Sequence, residues 1–188
     1  QAQLEKSIQS YKRAIQVDSE YAEAYENCGN ALTEMGLQAE ALKHYEKAIQ
    51  LKPNIAELHF KYAVALQKVG HLDAAVESYD TVIHLAPNFE HAHTNMGVVL
   101  QNLGRLEQAL KKYLQAIQIN PKSAVAYYNQ GNTLLELGEL DAAVISYKQA
   151  ASIDSKYELS AHFVLPVIPV SSEHIAQWRK RYQEGIDF

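Results

Sequence analysis

Apolar side chains recur three and four residues apart in blocks of about a dozen, and each block is closed by a glycine or a proline. Between Ala56 and Lys68, for example, Leu58, Tyr62, Ala65 and Leu66 share one helical face, and Val69 continues it. Gly70 ends that helix, because glycine accepts the left-handed backbone common at a helix C-terminus. A second amphipathic stretch runs from Leu72 to Leu85 and stops at Ala86-Pro87-Asn88, since the residue before proline disfavours the helical region. The predicted unit is helix, short turn, helix, short turn.

The unit repeats. Pro53, Pro87 and Pro121 stand 34 residues apart, and the same step separates Gly36, Gly70, Gly104 and Gly138. Leu32, Leu66, Leu100 and Leu134, then Ala41, Ala75, Ala109 and Ala143, then Tyr45, Tyr79, Tyr113 and Tyr147 keep it too. Gly29, Gly97 and Gly131 make a further series, with Ala63 in the gap. Small residues at Gly97 and Ala109 fall where the two helices of a pair cross, leaving room for a tyrosine such as Tyr113. A fixed period of this length is the mark of a solenoid built from stacked supersecondary units.

With its signature slots filled in the third unit by His93, Met96-Gly97, Leu100, Gly104, Ala109, Tyr113, Ala116 and Pro121, the pattern resembles the tetratricopeptide repeat. The resemblance covers about 155 of the 188 residues. It implies an all-α, right-handed superhelical solenoid of antiparallel helix pairs, about four and a half repeats long, with a C-terminal capping helix. The expected division is a second helix of a partial repeat at 1–21, repeats at 22–55, 56–89, 90–123 and 124–157, and a link with a capping helix at 158–188. His59 and His93, like Tyr25 and Tyr127, take a slot commonly held by tryptophan. Ser155 replaces the proline expected after the fourth repeat, which predicts a looser exit turn.

After Glu158 the period fades. An extended apolar run, Val164 to Val170, leads to a helix over Glu173–Glu184, with Ser171 or Ser172 as N-cap and Gly185 as terminator. Leu165-Pro166-Val167-Ile168 and Trp178-Arg179-Lys180-Arg181-Tyr182 resemble the segment that follows the repeats in bacterial proteins related to O-linked N-acetylglucosamine transferases. That resemblance implies a longer parent with a catalytic half beyond this chain. The start, Gln1-Ala2-Gln3, lacks an initiator methionine and also suggests a piece of a longer protein.

Composition narrows the function. Hydrophobic residues are 47% and charged residues 21%, an ordinary soluble composition. A formal charge of −5 weighs against a nucleic-acid partner, which calls for a basic face. No apolar run approaches the length of a membrane helix. Cys28 is the single cysteine, which excludes an internal disulfide and fits a reducing, cytoplasmic setting. It falls in a slot that packs inside, so it is expected to be core. His91 and His93 project too far apart around a helix to share an ion, so no metal and no cofactor are expected.

In tetratricopeptide solenoids the first helix of each pair lines the concave face. The inward register here is Asn27, Lys61, Asn95 and Asn129, with Asn30 and Asn132 one turn on and Val64 and Val98 in that slot between them. A side-chain amide offers a donor and an acceptor, so stacked asparagines can grip the backbone of an extended peptide. The transferase family carries such a ladder. Lys61 interrupts the series and favours a carboxylate nearby. A clamp for a chaperone C-terminus would need bases where Glu26, Phe60, Thr94 and Tyr128 stand, so it is rejected. The expected function is protein or peptide binding, without catalysis, with a glycosyltransferase's substrate-recruiting arm as the alternative and an RNA-reading repeat a distant third. Leu4, Ile8, Tyr11 and Ile15 lack a preceding helix to pack on, which predicts self-association through that end.

Overall fold

The computed structural model describes residues 2–158 together with Ala176, Arg179, Lys180 and Gln183. Among the described residues every regular element is helical. The order is α1 (Ala2–Val17), α2 (Ala22–Glu34), α3 (Gln38–Leu51), α4 (Ala56–Val69), α5 (Leu72–Leu85), α6 (Glu90–Asn102), α7 (Leu106–Ile119), α8 (Ala124–Glu136) and α9 (Leu140–Ile153). A short 3-10 turn follows at Ser155–Tyr157. None of the described helices is long and apolar enough to cross a membrane. The apolar link and capping helix expected after residue 158 lie outside the described residues, and so does nearly all of the transferase-like tail.

Each hairpin is closed by the same local chemistry. Gly70 has φ +85°, and its N–H and that of His71 bond back to the Gln67 and Leu66 carbonyls at 3.1 and 3.0 Å. Two orphan carbonyls at the end of α4 are thereby satisfied, and a side chain would be strained there. The second helices α3, α5 and α7 stop before proline: Lys52 is held at φ −135°, ψ 77°, outside the helical region that Pro53 disfavours. The Ser155 exit turn is not loose. Asp154 accepts the Lys156 backbone N–H at 3.2 Å and pairs with the Lys156 ammonium at 2.6 Å.

The chain divides into two compact units, residues 1–99 and 100–188. In the first, α1 packs on α2, α2 pairs with α3, α3 packs on α4, and α4 pairs with α5. One core cluster there joins Ile8, Cys28, Ala31, Leu32, Ala41, Tyr45 and Ala65, with Leu4, Tyr11 and Ile15 against it. The face of α1 that sequence leaves without a preceding helix is thus spent on α2, and Ile8 is only 7% exposed. In the second unit, α7 packs on α8 and α8 pairs with α9, around Ala143, Val144 and Tyr147. Close approach within a hairpin needs the small residue. A methyl group added at Gly29 would lie 2.7 Å from the Tyr45 ring, and one at Gly131 equally near Tyr147.

Candidate functional site

The first helices α2 and α4 lie on successive hairpins, so residues in one register face the same way. Asn30, Thr33 and Glu34 from α2 and Glu57, Phe60, Lys61 and Val64 from α4 line an open recess of 440 Å³, with Tyr45 of α3 behind them. Phe60 is held edge-on to Tyr79, 5.9 Å between centroids, and lies 4.9 Å from Phe89. Lys61 donates to Glu26 at 2.7 Å, each side chain being 26% exposed. The carboxylate that Lys61 was expected to favour is therefore supplied by the chain itself.

Of the six residues singled out by register, Asn30 and Lys61 share this recess. Asn27 is exposed on α2, and Asn95 is half-buried on α6 beside the Tyr79 hydroxyl. In the second unit Asn129 is half-buried on α8, and its backbone carbonyl accepts from Thr133 Oγ1 at 3.0 Å. Asn132 lies one turn further along α8. Sequence reasoning missed Thr33, Glu34 and Glu57 as lining residues, because none of the three keeps its residue type in all four repeats, and it placed Tyr45 only in the core. A detectable signal was the double step: Phe60 and Phe89 have counterparts 68 residues on in Tyr128 and Tyr157, which stack at 4.7 Å.

Asn30 and Asn132 have a second task. The four repeat tyrosines are buried, with exposures of 0 to 3%, and each hydroxyl needs a partner. Tyr45 donates to Asn30 Oδ1 at 3.0 Å and Tyr147 to Asn132 Oδ1 at 2.7 Å. Where valine takes that slot, at Val64 and Val98, a glutamine one turn later serves instead. Tyr79 donates to Gln67 Oε1 at 3.0 Å and Tyr113 to Gln101 Oε1 at 3.3 Å. Burial raises all four phenol pKa values, that of Tyr147 to about 12 and those of Tyr79 and Tyr113 further. These tyrosines are structural donors with no capacity for base chemistry near neutrality.

The histidines at the tryptophan slot bind the preceding turn. His59 Nε2 lies 2.7 Å from the Pro53 carbonyl and His93 Nε2 2.9 Å from that of Pro87, so each takes the tautomer with hydrogen on Nε2. His91 points elsewhere and pairs with Glu90 at 2.9 Å. Cys28 is fully buried, 3.6 Å from His44 Nε2. Burial raises the Cys28 pKa and lowers that of His44, which holds both groups neutral, the reverse of an activated thiolate pair. No group of three metal-ligating side chains occurs among the described residues.

Comparisons agree with this geometry. A family model described as TPR repeat matches residues 1–36, 29–70 and 102–138, and models described as tetratricopeptide repeat match 56–89 and 124–157, and 91–110. No curated protein matches the chain significantly. Among solved structures, YrrB, described as a TPR protein with an unusual peptide-binding site, superposes with a TM-score of 0.77 at 26% identity, over 86% of this chain and 83% of its own. A MamA protein gives 0.78 at 24% identity over 89% and 90%, and MamA of Desulfovibrio magneticus RS-1 gives 0.76 at 22% over 88% and 93%. Stacked hairpins closed by left-handed glycines, a buried tyrosine in each, and family models matching along most of the chain place this protein in the tetratricopeptide repeat family.

Proposed function

We propose that this chain is a protein-interaction scaffold that holds an extended polypeptide segment along its first helices, and that it binds rather than catalyses. The recess between α2 and α4 carries the reading. It is concave, part aromatic and part amide-lined, and within the size range of ligand sites. Its residues sit on rigid helices rather than loops, which limits the ordering cost of binding. The likeness to YrrB, whose description names a peptide-binding site, supports the same class of ligand. The buried neutral Cys28 and the raised tyrosine pKa values favour binding over catalysis. The cytoplasm is the proposed location for a chain whose one thiol stays reduced.

Asn27, Asn95 and Asn129 are the proposed backbone-gripping amides. Each amide–peptide hydrogen bond contributes about 0.5–1.5 kcal/mol net. Replacing all three by alanine is therefore expected to weaken binding of peptides selected on an array by about tenfold or more, with helicity by circular dichroism unchanged. Equal affinity of the triple variant removes the amide grip. An array on which the purified chain retains no peptide removes the scaffold reading itself.

A further inference from the structure

We infer that the α2–α4 recess accepts an apolar side chain of an extended segment that also carries lysine or arginine next to that anchor. The inference rests on the peptide-binding reading above and adds the chemistry of the partner. The apolar part of the lining is Phe60, Val64 and the ring of Tyr45. Phe60 is fixed from behind by Tyr79 and Phe89, so it offers a rigid face. Such a surface gains by covering an aliphatic or aromatic anchor.

The rim decides the charge. Glu34 and Glu57 line the opening, both are exposed, and neither has an ion pair among the described residues. The one cation lining the recess, Lys61, is already neutralised by Glu26 at 2.7 Å. An incoming acidic segment would meet two uncompensated carboxylates and would have to break the Lys61–Glu26 pair to find a base. A basic segment meets complementary charge at once. In an extended chain neighbouring side chains alternate in direction. Lysine and arginine beside the anchor have long flexible stems that reach the rim while the anchor points inward.

The test is a random peptide array probed with the purified chain and with the Glu34→Lys/Glu57→Lys variant. Both positions are exposed, and circular dichroism checks that the variant keeps its helices. The wild-type chain is expected to select peptides with lysine or arginine within two residues of leucine, isoleucine, methionine or phenylalanine. Their affinity should fall several-fold in high salt and about tenfold in the variant, which should turn toward aspartate- and glutamate-rich peptides. Bound peptides without basic bias, or a variant with unchanged selection, overturn the charge inference and leave the scaffold reading standing. Retention of no peptide at all overturns both.

Discussion

A hydroxyl buried where two helices cross must find a hydrogen-bond acceptor within the protein, because leaving it unpaired there is costly. The repeat tyrosines meet this demand in two ways, with asparagine fifteen residues earlier or glutamine twelve residues earlier. The two solutions are exclusive in the fourth hairpin, where Asn132 is followed by Leu135. Asn132→Val should therefore leave Tyr147 without its acceptor and cost about 1–3 kcal/mol. Adding Leu135→Gln transplants the arrangement of Val98 and Gln101 and should recover most of the loss. Chemical denaturation of the single and double variants measures this, and a double variant no more stable than the single one refutes the exchange. The tyrosine series was legible as core from its period alone. Its acceptors were not, since they occupy two different registers and neither keeps the full period.

At the scale of the helix, the ends were legible and the lateral pairings were not. Gly70 and Pro53 act on their own backbone, so their effect can be seen in a dozen residues. Lys61 stands out in sequence only as an interruption of the asparagine register. Its partner Glu26 lies 35 residues earlier, one register off, and becomes visible once α2 and α4 stack. The pair ties the first helices of two hairpins across the wall of the recess. Both side chains are 26% exposed, which places the pair between a screened surface bridge and a buried one. A double-mutant cycle on Glu26→Ala and Lys61→Ala should give a coupling of about 0.5–1 kcal/mol that falls with added salt. A coupling near zero at low salt would mean that the two charges meet without holding the helices together.

Over the whole molecule, stability in a repeat array is a sum of terms for each hairpin and each neighbouring interface. Damage should stay near its source. Ile8 is the buried anchor of α1 on α2, and Ile8→Ala should cost about 2–4 kcal/mol locally. Hydrogen exchange is expected to speed up in α1 to α3 while the amides of α8 and α9 keep their protection, whereas a uniform loss along the chain would show a single cooperative unit. The same locality explains how much could be learned before the fold was known. Amino-acid order by itself determined the number of hairpins, where each turns, and which tyrosine, alanine and glycine meet inside, because every unit solves one packing problem with residues close in sequence. Only the tertiary structure decided which polar groups of the first helices are consumed within the chain, as Asn30 and Lys61 are, and which carboxylates, Glu34 and Glu57, are left facing the recess. That outcome depends on distances between side chains a full repeat apart, which a period brings into line without setting how closely they meet.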